Sequence, residues 1–531
     1  MPLEPEPLNR LMTSPPTTPA AVSLAEASRF WLRLGLVSFG GPAGQIALLH
    51  EELVERRRWL SERRFLHALN YCMLLPGPEA TQLATYLGWL MHGTAGGLIA
   101  GGLFLLPAIL MLLALASAYA LWGHLPLLSA LFAVLQPTVL AIVLQAAWRL
   151  GRRTLHTPFL MAIAAAAFAS QSLRLLPYPL LVVLVAFAGA LAARFRSALV
   201  NSPAATEAPG AGTTVPVASS RVPDALDPVQ ETGVPAGLSP GSRTGLQTFS
   251  SPPSGSEPTP SPPSGQDPAS PKAGGAMRSK WPTASDRAAP AALHGDRTPS
   301  PPHVRFRRRA LASTLLIGGM ALMLPLLALT LLQGWGGILP TMARFFTRVA
   351  LVSFGGAYAV LPYVAEGAVQ RFDWLSAPQM VDALALGETT PGPLIMVVAF
   401  VGFLGGWNQA GSLSLAVAAA LVVIWFTFLP SFLFILAGAP LVEASRGDLR
   451  LDGPLRAITA AVVGVIASLA LLFSGPVLWP AGQGPWPSGV ALTVLLLGLA
   501  LLLRWHWSVL RVIGLAVALG LLRALLQTLL T

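Results

Sequence analysis

Apolar residues in this chain run on for about twenty positions at a time, broken by short polar punctuation, rather than alternating with polar ones. Runs of about 18 or more can cross the hydrocarbon core of a bilayer as helices. In the first part they lie near 30–49, 65–91, 96–120, 127–148, 158–173 and 177–193 and predict six segments. From 194 to about 309 the pattern stops. Pro, Ser, Gly, Thr and Ala dominate there, in blocks such as Ser251-Pro252-Pro253-Ser254-Gly255, and the stretch reads as a disordered linker. An isolated apolar segment at 310–332 follows, then six more near 341–364, 380–404, 411–438, 457–474, 488–503 and 507–526. The expected fold is an all-α polytopic membrane protein. Its parts are a polar N-terminal tail (1–25), a first membrane repeat (26–193), a cytoplasmic linker (194–309), a linking transmembrane helix (310–332) and a second membrane repeat (338–531).

The two membrane units are copies. Residues 29–78 recur at 344–393 without a gap, and 20 of these 50 aligned positions are identical. Arg29, Phe30 and Arg33 return as Arg344, Phe345 and Arg348, and Leu36-Val37-Ser38-Phe39-Gly40-Gly41 returns as Leu351-Val352-Ser353-Phe354-Gly355-Gly356. Trp59-Leu60-Ser61 returns as Trp374-Leu375-Ser376, and Pro76-Gly77-Pro78 as Pro391-Gly392-Pro393. Duplicated glycines, prolines and arginines in apolar surroundings are what a secondary transporter uses to build backbone-lined polar sites.

Composition agrees with a membrane setting. The chain is 54% hydrophobic and 11% charged with a mean hydropathy of +0.63, against about 25% charged residues in soluble domains. The net charge of +11 comes from arginines at span ends and in linkers, which reads as positive cytoplasmic loops and not as a nucleic-acid surface. One cysteine, Cys72, leaves no disulfide framework or thiolate metal cluster within the chain, and the residues call for no cofactor and no metal ion. Residues 1–28 are polar and Pro-rich, with Glu4 and Glu6 where a secretory signal carries basic residues, so insertion is expected through the chain's own spans.

Parity sets the orientation. Six segments return the chain to its starting side, and the extra helix then delivers the second unit inverted. Arg149, Arg152, Arg153, Arg194, Arg196, Arg305, Arg307, Arg308, Arg309, Arg446, Arg450, Arg456 and Arg504 fall on one predicted side, while the loops near 122–126, 333–340 and 475–487 have no Lys or Arg. The arginine-bearing side is cytoplasmic and the C-terminus is expected outside. The stretch Glu51–Arg64, with Arg56, Arg57, Arg58, Arg63 and Arg64, fits only if the flanking segments are broken or re-entrant. Such backbone is tolerated at membrane depth where protein or water shields it.

The breaks carry the candidate chemistry. Proline blocks helix continuation, glycine lets backbone and ligand approach, and a half-helix N-terminus offers free amides to an anion. In the first repeat the candidate substrate contacts are Arg33, Ser38, Gly40, Gly41, Gln45, Pro76, Gly77, Pro78, Thr81 and Gln82. In the second they are Arg348, Ser353, Gly355, Gly356, Thr390, Pro391, Gly392 and Pro393. Arg33 and Arg348 are favoured as guanidinium forks for an oxyanion, while Arg29 and Arg344 can snorkel. Thr85 and Thr389 could also donate to oxygens. Glu79 and Glu388, which are not equivalent in the repeat, are candidate proton-coupling sites, with a structural ion pair as the alternative reading. Close helix packing is the alternative for Gly101-Gly102 and Gly318-Gly319. Cys72 reads as a small buried residue, and His67 and Asp382 as solvated or paired near loop ends.

The stretch from Phe39 through Gly97, with its FGGPAGQ and LLPGPEATQ motifs, resembles the N-terminal signature of the chromate ion transporter family. The stretch from Val352 to Leu394, VSFGGAYAVLPYVAEGAVQRFDWLSAPQMVDALALGETTPGPL, is similar to the second copy in that family's long, two-domain members. The resemblance implies an inner-membrane protein that expels chromate, driven by the proton gradient, and so confers chromate resistance. Its partners would be chromate, protons and the lipid bilayer, and no nucleic acid; a homodimer would be compatible with this design. Because sulfate and chromate are both tetrahedral dianions, a carrier of sulfate or another oxyanion is the second reading. A membrane-embedded enzyme acting on a phosphorylated lipid is the third, and the sequence lacks the His or Asp constellation it would need.

Overall fold

A computed structural model describes residues 22–39, 41–123, 125–195, 293–294, 302–304, 306–354, 356–444, 452–480 and 488–530. Most of the linker expected at 194–309, the tail before Val22, and the candidates Gly40 and Gly355 lie outside these residues. Sixteen α-helices make up the described part. Those of the first repeat are α1 (Leu24–Val37), α2 (Gly41–His50), α3 (Glu62–Leu74), α4 (Glu79–Trp122), α5 (Pro126–Thr154), α6 (Pro158–Ser172) and α7 (Tyr178–Phe195). After α8 (Arg308–Gln333) come α9 (Ile338–Leu351), α10 (Ala357–Ala365), α11 (Ala377–Thr389), α12 (Val397–Ala410), α13 (Leu413–Ala444), α14 (Asp452–Leu478), α15 (Gly489–Leu503) and α16 (Val509–Leu530). Six of them, α4, α5, α8, α13, α14 and α16, contain a stretch long and apolar enough to cross a bilayer. The chain is a multi-pass, all-α membrane protein.

The segments near 30–49 and 65–91 are each two helices. α1 has 14 residues and α3 has 13, about 20 Å each at about 1.5 Å per residue and short of a hydrocarbon core of about 30 Å. α1 ends before Ser38 and Phe39, and α3 ends before Leu75 to Pro78. Helix α4 is itself two arms, because His92 and Gly93 leave helical geometry. The arms fold back on each other: a Cβ on Gly88 would collide with Ala100 and the Gly96 carbonyl, and one on Gly97 would meet the Thr85 carbonyl. Small residues let the two backbones touch. In the second unit the left-handed Gly411 joins α12 to α13, and Gly402 and Gly406 press on the Ala419 and Leu415 carbonyls.

The 315-residue recurrence is visible bond by bond. A π-helical turn, Glu51–Arg56 and Glu366–Arg371, follows α2 and α10 alike. Trp59 N–H donates to the Leu53 carbonyl at 2.8 Å, and Trp374 N–H to the equivalent Ala368 carbonyl at 2.7 Å. Ser61 and Ser376 cap α3 and α11 by accepting from the amides of Arg64 and Gln379, each at 3.3 Å. The recurring aromatic pair packs edge to face, Phe30 on Trp59 at 4.8 Å and Phe345 on Trp374 at 5.6 Å between centroids. In both copies of Trp-Leu-Ser the Trp packs against the Phe, the Leu is buried, and the Ser starts a helix.

Core packing crosses between the copies. α5 of the first unit packs against α15 and α16 of the second, while its counterpart α14 packs against α6 and α7 of the first. Helix α8 lies against α9 and α13 and has no buried residue; Leu331 and Leu332 are 77% and 82% exposed. Such a surface suits lipid and not water. At one end of the first unit several connections gather. His92 bonds to the Val22 carbonyl at 2.9 Å, His294 N–H donates to the Trp59 carbonyl at 3.0 Å, and His303 bonds to the Trp89 carbonyl at 3.0 Å.

Candidate functional site

The breaks of the two repeats are bonded to each other. The Gly77 N–H, in the first Pro-Gly-Pro, donates to the carbonyl of Ser353 at 2.8 Å, and the Gly392 N–H, in the second, donates to the carbonyl of Ser38 at 2.7 Å. Each repeat thus reaches across to the other's Ser-Phe-Gly-Gly break through the same pair of atoms. Backbone conformation makes this possible: Gly77 and Gly392 have φ of 134° and 110°, where a side chain would be strained. A Cβ would also strike Ser431 and Gln82 at Gly77, and Ala108 at Gly392.

Around this crossing the polar atoms are buried and short of partners. Ser38, Gln45, Thr81, Gln82, Ser353, Thr390 and Ser431 are all below 5% exposure. The hydroxyls of Ser38, Thr81, Ser353 and Ser431 have no protein hydrogen-bond partner among the described residues. Gln45 Nε2 donates to the Ser38 carbonyl at 3.3 Å and Gln82 Nε2 to the Pro76 carbonyl at 2.8 Å, which leaves each amide a second N–H. Leaving a buried donor unpaired costs about 1–3 kcal/mol. Each of these four hydroxyls is thus a candidate donor to oxygen atoms that the protein does not itself supply. Helix N-termini add to these: the first turns of α4 and α10 follow Pro78 and Gly356, and neither has a side-chain cap.

The carboxylates are placed unequally. Glu79 Oε1 comes within 3.7 Å of where a Cβ on Gly356 would stand, so the first repeat's acid sits against the second repeat's break. Glu388 accepts from the Tyr358 hydroxyl at 2.6 Å, within the second repeat. Neither has an ion pair among the described residues, and so the structural ion-pair alternative has no partner to rest on.

Other candidates are dispersed. Thr85 and Thr390 donate to the carbonyls of Thr81 and Gly387, and Thr389 to that of Leu386, so their hydroxyl protons are used by their own helices. Arg33 is exposed on α1 and has no hydrogen bond or ion pair among the described residues. Arg348 is exposed too and, with Glu366, Arg371 and Tyr363, lines a cleft of about 290 Å³. Among the described residues no bond ties either arginine to the crossing, where the polar groups are neutral hydroxyls, amides and backbone. Arg344, midway along α9, reaches back to stack on Trp335 at 4.0 Å and donates to that residue's carbonyl at 2.7 Å. In the paired glycines one member packs and the other faces open space: Gly101 meets Thr85 and Phe432, and Gly318 meets Leu433. Cys72 is fully buried.

Three residues at or near the site escaped sequence reasoning. Ser431 was one hydroxyl in an apolar run, and Tyr358, opposite Ala43 in the repeat, gave no sign that it would hold Glu388. Asp382, expected to be solvated or paired near a loop end, is paired but buried inside α11, where it accepts from the Tyr119 hydroxyl and the Gln136 amide, both at 2.7 Å.

The profile of the chromate transporter family matches residues 25–192 and again residues 340–521, the two units that cross at this site. The chain belongs to the chromate transporter family. A chromate transport protein of Cupriavidus metallidurans is 26% identical over 478 residues, covering 87% of this chain and 86% of that one. A probable chromate transport protein of Synechococcus elongatus is 25% identical over 452 residues, covering 85% of each. The uncharacterized transporter YwrB of Bacillus subtilis is 27% identical over 175 residues, 32% of this chain but 88% of its own length, so it has the size of one unit. No solved structure matches.

Proposed function

We propose that this chromate transporter family member is a secondary active transporter that exports chromate from the cytoplasm, coupled to the proton gradient, and so confers chromate resistance. The observation that carries the reading is the reciprocal crossing, where two breaks from separate repeats enclose unpaired buried hydroxyls. The relatives named for chromate transport cover most of the chain and supply the substrate. A dianion bound by neutral donors keeps its charge balanced by amides and helix N-termini, and it can leave without breaking an ion pair. In this reading the units are inverted copies in an inner membrane. The linker is cytoplasmic, the C-terminus is outside, and the paired half-helices are re-entrant. Contacts of the 58–61 turn with His294, and of the α4 hairpin with Val22 and His303, support this by grouping that loop with the linker end and the N-terminal side. Glu79 and Glu388 are the proton-coupling carboxylates.

Sulfate is the alternative cargo, because hydroxyls and amides recognise four oxygens around a central atom whether it is chromium or sulfur. The test is radiolabelled chromate flux into inverted vesicles with an imposed proton gradient and competing sulfate. Chromate uptake stimulated by the gradient is expected, with sulfate competing as a second tetrahedral dianion. Sulfate movement without chromate movement would transfer the assignment to the sulfate reading.

A further inference from the structure

We propose that Asp382 is a proton-binding site of the transport cycle, clamped between the repeats by Tyr119 and Gln136. Asp382 lies on α11 of the second unit, 4% exposed, while Tyr119 closes α4 and Gln136 lies on α5 of the first. Its two oxygens are each met by one neutral donor: Oδ2 by the Tyr119 hydroxyl and Oδ1 by Gln136 Nε2, both at 2.7 Å. A carboxylate in this position with no cation beside it is costly unless its charge can be removed.

The partners are suited to both charge states. Charged, Asp382 accepts from Tyr119 and from the Gln136 amide nitrogen. Protonated, it donates to Gln136 once the amide turns its oxygen inward, and it still accepts from Tyr119. A bound proton therefore keeps both carboxyl oxygens of Asp382 hydrogen-bonded.

No charged group among the described residues shares the hydrogen bonds of Asp382, which makes it a proton site separate from Glu79 and Glu388. Helix α11 packs against α4, α5, α12, α14 and the turn Glu366–Arg371. Helix α12 carries no titratable side chain, and the arginines of α5, Arg149, Arg152 and Arg153, stand more than three turns beyond Gln136. Helix α14 carries Asp452 and Arg456 among its first five residues. Glu366 and Arg371 line the cleft with Arg348, and Glu388, on α11 itself, is bonded to Tyr358. Among the described residues Tyr119 is the only titratable group bonded to Asp382. Tyr119 is fixed in turn by edge contacts with Phe132 and Phe400, each at 5.3 Å.

The position also links proton occupancy to the site. Eight residues after Asp382, α11 gives way to Thr390 and the second Pro-Gly-Pro, whose Gly392 bonds Ser38. Gaining or losing a proton at Asp382 alters how α11 is held against the opposite repeat, and α11 leads directly into the crossing.

The assignment rests on the proton-coupled reading above, and the test separates the two. The full chain is reconstituted in proteoliposomes, and protons moved per chromate are measured with an internal pH dye and radiolabelled chromate. Wild type that moves chromate without protons would overturn the coupled reading and this assignment with it. With coupling present in wild type, Asp382→Asn is expected to lose the proton carried by Asp382 and keep those carried by Glu79 and Glu388, so the proton-to-chromate ratio falls below that of wild type; an unchanged ratio overturns the assignment alone. Should Asp382→Asn fail to fold, Tyr119→Phe decides. Loss of its donated hydrogen bond is expected to move the pH profile of flux upward by about one unit, and a profile that stays in place overturns the assignment.

Discussion

Gly77 and Gly392 show how far a single residue determines this site. Each turns through a conformation closed to other residues, and each presents its amide to the opposite repeat with no room for a methyl group. Gly77→Ala and Gly392→Ala are each expected to lower chromate flux about tenfold or more, since backbone strain of about 1–3 kcal/mol adds to a lost inter-repeat hydrogen bond. Flux per inserted molecule is the measurement, and wild-type flux in either variant would count against the crossing as described. These glycines were legible in the sequence because positive φ and tight approach are properties of the residue itself. The arginines were not. Arg33 and Arg348 lie in apolar runs, but in a membrane both the core and the lipid are apolar, so the run does not say which face is buried. Asp382 was obscure for another reason: its partners Tyr119 and Gln136 stand 263 and 246 positions away.

Among the elements, the half-helices with their turns are the repeated units. Segment boundaries predicted from apolar runs near 30–49 and 65–91 hold as regions, and the duplicated Phe-Gly-Gly and Pro-Gly-Pro steps correctly divide each into two helices. The fold-back of α4 at His92 and Gly93 falls at the boundary between the segments expected at 65–91 and 96–120, where His92, Gly93 and Thr94 interrupt the apolar run. What holds the turns is now specific. Trp374→Ala, which removes the ring stacked on Phe372 at 4.7 Å and Phe346 at 6.1 Å, is expected to cost about 3–5 kcal/mol. Ser376→Ala removes a capping box and is expected to cost about 0.5–2 kcal/mol. Thermal unfolding in detergent would check both, and a cap variant that outweighs the tryptophan variant would reverse this ranking.

At the scale of the molecule, two copies that share a core and exchange hydrogen bonds at their breaks form one device with two halves. The arginine-rich turn of the first copy is less charged than its arginines suggest, since Arg56 pairs with Glu51 and Glu52 at 3.0 and 3.1 Å and Arg57 with Glu52 at 3.5 Å. The proposed inversion has a direct consequence: the turns at Arg58 and Asp373, both at positive φ, should open on opposite sides of the membrane. With Cys72 replaced, Arg58→Cys should label only from the cytoplasmic side and Asp373→Cys only from outside, using an impermeant thiol reagent; labelling of both from one side would mean parallel copies. The proposed export would be favoured electrically as well, because a potential negative inside drives a dianion outward by about 4.6 kcal/mol per 100 mV, twice the value for one charge.

The central claim is that the crossing holds the oxyanion through hydroxyls the protein leaves unpaired, and chromate affinity of the purified chain tests it most directly. Ser38→Ala and Ser353→Ala each remove one donor to a charged ligand, worth about 1.5 kcal/mol or roughly tenfold in Kd. Neither breaks a hydrogen bond made by a side chain in the free protein, so stability should hold. Isothermal titration of the double variant is predicted to show chromate bound about a hundredfold more weakly, with wild-type thermal stability. Chromate bound as tightly as by wild type would contradict the account.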